Sequence, residues 1–110
     1  MKKVVLHGKI AKNFGKSFNL EVSSPKECIA AIDSQVEGFR EYLIRSAMNG
    51  VVYGLRDKNG NFFEPNLYDI KTAEDELHFA AIPQGGGFFG ALLTAVATTY
   101  IGLWLQDLFE

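Results

Sequence analysis

At 110 residues the chain has room for one domain, because a second would leave neither part enough chain to bury a core. Nine Phe residues and 47% hydrophobic content exclude intrinsic disorder over most of its length. Eleven basic and thirteen acidic residues give a net charge of −2, so the strong positive field of a nucleic-acid-binding protein is absent and no such partner is expected. One Cys and two His are too few for a zinc site, and neither a metal nor a cofactor is expected.

The first 23 residues predict a β-hairpin. Alternation of apolar and polar residues over 3–10 and again over 17–23 indicates two antiparallel strands joined by a rather long turn. In the first strand Val4, Leu6 and Ile10 are expected to share the apolar face.

Two helices are predicted after the hairpin. The first, over 25–36, has a complete start signal that consists of an N-cap, a proline at the first helical position and an acid at the third: Ser24, Pro25 and Glu27. Gly38 ends this helix, and residues 39–46 predict a second, short helical segment that docks on the sheet.

The second half of the chain predicts short strands. One is expected around 51–53, Asn59-Gly60 predicts a hairpin that returns through Phe62 and Phe63, and 76–82 predicts a last, apolar strand. This order is that of an α+β ubiquitin-like β-grasp, in which one helix covers a mixed sheet. The first and last strands of that arrangement pair in parallel at its centre, which suits their apolar content.

Three stretches of this sequence resemble the tail assembly protein I family of lambda-like bacteriophages. They read LHGKIAKNFGKSFNLEV, SPKECIAAIDSQVEGFREYL and HFAAIPQGGG, and they occupy residues 6–22, 24–43 and 78–87. The resemblance implies a β-grasp domain over 1–83, a glycine-rich linker over 84–87 and an apolar helix over 88–110. Family members are typically longer, so this helix is expected to begin a downstream region that is missing here.

The same resemblance implies a role in assembling the tip of a long, flexible, non-contractile phage tail. The implied partners are the central tail-tip protein and a companion peptidase-like tail assembly protein. The implied locations are the host cytoplasm during tail assembly and the tail tip of the virion.

A run of glycines, Gly85, Gly86 and Gly87, follows the last predicted strand. Ubiquitin and the small sulfur carriers end in Gly-Gly at this topological point, because a tail without side chains fits a narrow enzyme groove. A flexible linker would also need only the conformational freedom of glycine. Since residues 88–110 follow, transfer chemistry would require prior cleavage, and both a linker and a processing site remain open.

No charged residue interrupts 88–105, which predicts an apolar helix roughly 27 Å long. Such a helix must be covered by a membrane, by the missing downstream region, or by neighbouring subunits, including other copies of this chain. The candidate contact residues are Phe88, Phe89, Leu92, Leu93, Val96, Tyr100, Leu103 and Trp104.

Charged and titratable residues give weaker signals. Five lysines that precede the first acid form a locally basic edge, which predicts either a solvated hairpin or a docking surface: Lys2, Lys3, Lys9, Lys12 and Lys16. His7 and His78 lie on the two strands that are expected to pair. With no Asp, Cys or third His placed beside them, neither a metal site nor a general base is expected.

Catalytic sequence motifs are absent from the chain. It contains no Gly-x-Ser-x-Gly, P-loop, His-Glu-x-x-His or dinucleotide fingerprint. The sequence therefore predicts a non-enzymatic assembly factor that acts through protein–protein contacts. Two alternatives stay open, a ubiquitin-like or sulfur-carrier protein processed at its glycine run and a small membrane-anchored β-grasp protein.

Overall fold

The computed structural model describes residues 1–83 and 90–99. Four strands form one sheet: β1 Lys2–Leu6, β2 Ser17–Leu20, β3 Tyr53–Arg56 and β4 Glu76–Ala81. The α-helices are α1 Lys9–Phe14, α2 Pro25–Gln35, α3 Phe39–Met48 and α4 over 90–99, and a short 3-10 helix spans Pro65–Leu67.

The sheet is mixed, and its strands lie in the order β2-β1-β4-β3. Strands β1 and β4 are parallel at its centre, where Val4 pairs with Leu77, and the two outer pairings are antiparallel. The prediction of an α+β chain whose first and last strands pair in parallel is therefore confirmed.

The connection between β1 and β2 differs from the predicted hairpin. The strand ends at Leu6, and α1 replaces the predicted strand end and turn. Gly8 redirects the chain with φ 70° and ψ −143°, a conformation that glycine adopts readily. Ile10 is buried as predicted, but it lies on a helix, where Phe14 four residues later shares its face.

The start of α2 follows its sequence signal. The hydroxyl of Ser24 accepts a hydrogen bond from the Glu27 amide at 3.2 Å. The Glu27 carboxylate accepts from the amide and the hydroxyl of Ser23 at 2.7 and 2.8 Å, so it acts one residue before the cap. These bonds, the Ser23 amide first, lower the pKa of Glu27. Gly38 separates α2 from α3 in the left-handed conformation, and α3 runs two residues beyond its predicted end.

The third strand lies further along the chain than predicted, at Tyr53–Arg56 instead of around 51–53. The amide of Val51 donates to the carbonyl of Ser46 at 2.8 Å, so it belongs to the end of α3 and is lost to strand pairing. The predicted Asn59-Gly60 turn reverses the chain, and its return limb forms only an isolated bridge, at Phe62.

The core joins the sheet to the helices. Phe39 of α3 packs edge-on against Phe79 of β4, with ring centroids 5.6 Å apart. Cys28 of α2 is buried, and desolvation raises the pKa of its thiol to about 12, so it remains a neutral thiol. The largest fully buried side chains come from β1, α1, α2, α3, β3, β4 and Val52: Val4, Leu6, Ile10, Ile29, Ile32, Phe39, Leu43, Val52, Leu55, Leu77 and Phe79.

Candidate functional site

Most of the residues predicted to carry function lie outside the described part of the chain. This applies to the glycine run and to the two ends of the predicted apolar helix: Gly85, Gly86, Gly87, Phe88, Phe89, Tyr100, Leu103 and Trp104. Leu92, Leu93 and Val96 lie within α4 and can be placed.

Helix α4 packs on the domain that precedes it. Leu92 and Val96 are buried in the same core cluster as the sheet residues, and Leu93 packs partly against it. The domain itself therefore buries these side chains. The sequence had predicted that a missing region, a neighbouring subunit or a membrane would bury them. The spacing of four residues between Leu92 and Val96 places them on one face of the helix.

The opposite face of α4 carries small and polar side chains. Thr94 and Thr98 are exposed, and their hydroxyls donate to the carbonyls four residues earlier, at 3.2 and 2.8 Å. This local bonding satisfies hydroxyls within an otherwise apolar segment. A groove of about 430 Å³ lies between α4 and the 3-10 region, lined by Glu64, Pro65, Asn66, Ala91, Leu92 and Ala95.

A chain of hydrogen-bonded titratable groups lies on the sheet face opposite the core. Leu77 and Phe79 of β4 point into the core, so the alternation of the strand places Glu76 and His78 on the other face. His78 Nε2 is 2.9 Å from the Glu76 carboxylate, and its Nδ1 is 2.8 Å from Nε2 of His7. We call Glu76, His78 and His7 the histidine relay.

The protonation of the histidine relay follows from its acceptors. A carboxylate only accepts, so Nε2 of His78 carries the proton towards Glu76, and Nδ1 of a neutral His78 accepts from His7. The histidine relay has room for one added proton, because a protonated His78 would donate hydrogen bonds to both Glu76 and His7. A second added proton would place two N–H donors opposite each other.

Surroundings of the histidine relay favour the neutral form of His7. Burial lowers the pKa of His7, and the positive charge of Arg56 and the neighbouring His78 lower it further. Arg56 reaches this place because it pairs with His78 across β3 and β4. The relay can hold and pass a proton, and its acid–base state is coupled to the pairing of the two central strands.

The sequence prediction was right that His7 and His78 lie side by side, but only His78 lies within its predicted strand, because β1 ends one residue before His7. The prediction named no Asp, Cys or third His beside them and overlooked Glu76. The missed signal is the spacing of Glu76 and His78, because residues two apart on a strand share a face.

The predicted basic edge is divided among different roles. Lys2 forms hydrogen bonds within the domain, since its ammonium donates to the carbonyls of Thr72 and Glu74. Lys3, Lys9, Lys12 and Lys16 are exposed, and Lys9 also lines a groove between α1 and α3. The ammonium of Lys2 is therefore already bound, while the other four lysines remain at the surface.

Within residues 1–83 and 90–99, no cluster of three or more His, Cys, Asp or Glu side chains could hold a metal ion. In the same part of the chain, no helix combines the length and hydropathy needed to cross a membrane. Comparison with protein-family models, with curated proteins and with solved structures finds no match to this chain.

Proposed function

We propose that this chain is a ubiquitin-like β-grasp protein that serves as a non-enzymatic assembly factor in the tail-tip morphogenesis of a bacteriophage or prophage. The observation that carries the proposal is the strand order β2-β1-β4-β3 with its parallel central pair. Together with the buried face of α2, this order supports the β-grasp that the sequence resemblance implies. The β-grasp is widely used as a module that binds other proteins through its surface.

The proposed partners are the central tail-tip protein and the peptidase-like tail assembly protein. Residues near the end of the chain are the proposed contacts. Leu92 and Val96 are less suited to this role, because the domain already buries them. Tyr100, Leu103 and Trp104 continue the same apolar sequence after residue 99. Self-association through 88–110 is the competing use of these side chains.

Co-expression with the two proposed partners tests this function. The tagged full-length chain is expected to co-purify with at least one of them, and the double substitution Tyr100→Ala and Trp104→Ala is expected to weaken the complex. Thr98→Ala is the matched control, since Thr98 is an exposed residue of α4. Failure of the unmodified chain to bind either partner would overturn the proposal, and light scattering of the chain alone separates self-association from partner binding.

The alternative function is a ubiquitin-like or sulfur-carrier protein that is processed at Gly85–Gly87. It is favoured by one observation, which is that the chain leaves the central strand β4 and becomes exposed at Pro83, just before the glycines. Intact-mass measurement after co-expression with the peptidase-like protein distinguishes the two functions. Cleavage after the glycine run, followed by a mass gain with an activating enzyme and ATP, would favour the carrier, and an unchanged mass would exclude processing by this peptidase.

We place the protein in the host cytoplasm during tail assembly, with the virion tail tip as the location of any copies that stay bound. Membrane anchorage through residues 88–105 is the third candidate. Carbonate extraction of membranes from expressing cells tests it, because an anchored protein stays in the pellet and a free assembly factor is released.

A further inference from the structure

A groove of about 250 Å³ lies between the start of α1, the end of α3 and the start of β3. Its lining combines cations, hydroxyls and amides with an apolar side: Lys9, Tyr42, Arg45, Ser46, Asn49, Val51 and Tyr53. We call it the α1/α3 groove. None of these side chains is acidic, so the groove carries two positive charges and no negative one.

Both cations of the α1/α3 groove are available to a ligand. Lys9 and Arg45 are exposed, and neither forms a salt bridge with an acid among residues 1–83 and 90–99. Arg40, on the same helix as Arg45, differs in this respect, since it pairs with Asp33 at 2.8 Å. Two cations without partners on one concave surface attract a group that carries two negative charges.

The tyrosines supply a neutral donor to the same groove. Burial, together with a hydrogen bond between the phenols of Tyr53 and Tyr42, raises the pKa of Tyr53 to about 12, so its hydroxyl stays protonated at neutral pH. Two phenols hold two hydroxyl hydrogens, and their mutual bond uses one. The other can point to an oxyanion. The position of the two rings is fixed by their packing, with centroids 6.1 Å apart.

The end of α3 has the unfavourable sign for an anion, because the C-terminus of a helix carries about half a negative charge. Its last carbonyls, however, already accept hydrogen bonds from the amides of Asn49, Gly50 and Val51 at 2.8 to 3.1 Å. The two full positive charges of Lys9 and Arg45 outweigh the partial negative charge that remains at this end of the helix.

We propose that the α1/α3 groove binds a phosphate monoester, with Lys9 and Arg45 on the phosphate oxygens and Val51 against the group that the ester carries. A phosphate monoester matches the double charge better than a carboxylate does, since it carries close to two negative charges at neutral pH. Arginine adds the forked geometry that suits phosphate oxygens. The volume of about 250 Å³ accommodates such a small group. This inference does not depend on the tail-assembly function.

Titration of the full-length chain followed by NMR tests the proposal, with phenyl phosphate, inorganic phosphate and acetate added at matched ionic strength. Phenyl phosphate is expected to shift the Arg45 Nε and Tyr53 amide signals saturably, and to bind more tightly than inorganic phosphate. Lys9→Ala and Arg45→Ala are each expected to weaken binding at least about fivefold. Val51→Ser is expected to remove the preference for phenyl phosphate over inorganic phosphate.

Lys12→Ala and Lys16→Ala are the matched controls, because both lysines are exposed on the same basic edge and neither lines the groove. They should leave the affinity unchanged. The proposal is overturned if no saturable shift occurs, if the control substitutions weaken binding as much as Lys9→Ala does, or if acetate binds as tightly as phosphate.

Discussion

Nε2 of His7 and Nδ1 of His78 are 2.8 Å apart, and the two rings are stacked with centroids 5.0 Å from each other. This contact joins the residue after β1 to the middle of β4, so it reinforces the parallel pair at the centre of the sheet. Its strength depends on protonation, because a proton on each histidine would convert the hydrogen bond into a repulsive contact.

The stability of the domain should therefore fall as the pH is lowered through the range in which His7 would titrate if unfolded. The pKa of His7 in the native state lies below its ordinary value of 6.5, so the unfolded state binds more protons in the window just below about pH 6.5. Stability is then full above that window and decreases within it.

Urea unfolding at several pH values between about 7.5 and 5.5 measures this slope, and His7→Gln is expected to flatten it. Glu27 and Asp57 do not contribute to this slope, because hydrogen bonds to their carboxylates hold the pKa of Glu27 below its ordinary value of 4.5 and the pKa of Asp57 below its ordinary value of 3.8. A native His7 that titrates at or above 6.5 by NMR would contradict the prediction.

Replacing the N-cap of α2 should destabilise the whole domain. Ser24→Ala removes the acceptor of the Glu27 amide, and Ser24 is buried, so water replaces it poorly. The expected loss is about 1 kcal/mol in the free energy of unfolding. Ser34→Ala is the control, since its exposed hydroxyl donates only to the carbonyl of Ala31 near the end of the same helix. Equal effects of the two substitutions would show that the cap contributes nothing specific.

Local chemistry made α2 predictable, whereas competing local patterns hid α1 and shifted β3. Ser24 and Pro25 act through their immediate neighbours, so their effect can be deduced without the fold. Ile10 fits both a strand face with Leu6 and a helix face with Phe14, and the alternation over β1 favoured the wrong choice. Val51 has the composition of a strand residue, but its amide is used to end α3.

Tertiary packing decided the features that the sequence could not supply. Val96 lies in an apolar run that would suit a membrane, a partner or the domain core equally well, and only the position of the sheet selects the core. The groove beside Lys9 and Arg45 brings together α1 and α3, which are distant in sequence. The parallel pairing of β1 with β4, by contrast, was predicted from the order of the elements, and the apolar content of both strands agreed with it.

Gly38 should resist replacement because of its backbone conformation. Its φ of 85° is strained for residues with a side chain, while the nearest atom to an added Cβ, in the Phe14 ring, is 4.0 Å away. Gly38→Ala is therefore expected to cost about 1 kcal/mol through the backbone alone. Gly38→Asn should cost less, because asparagine tolerates the left-handed region better. Thermal or urea unfolding of both variants measures the difference, and an alanine variant as stable as the asparagine variant would contradict this account.

Val96 provides the sharpest test that α4 belongs to the folded domain. Val96→Ala removes two methyl groups from a fully buried site and should lower the free energy of unfolding by about 2 kcal/mol. Thr98 lies two residues further along the same helix, on its exposed side. Thr98→Ala removes the hydroxyl that donates to the carbonyl of Thr94, and it should change the free energy of unfolding by less than about 0.5 kcal/mol.

The comparison of these two substitutions also separates packing from a general loss of helix propensity, because alanine favours helix at both positions. If α4 is covered by a partner and not by its own domain, Val96→Ala leaves the isolated chain as stable as Thr98→Ala does and instead weakens the complex with the tail-tip proteins. Urea unfolding of the isolated chain therefore distinguishes a helix that completes the domain core from one that needs a partner to bury it.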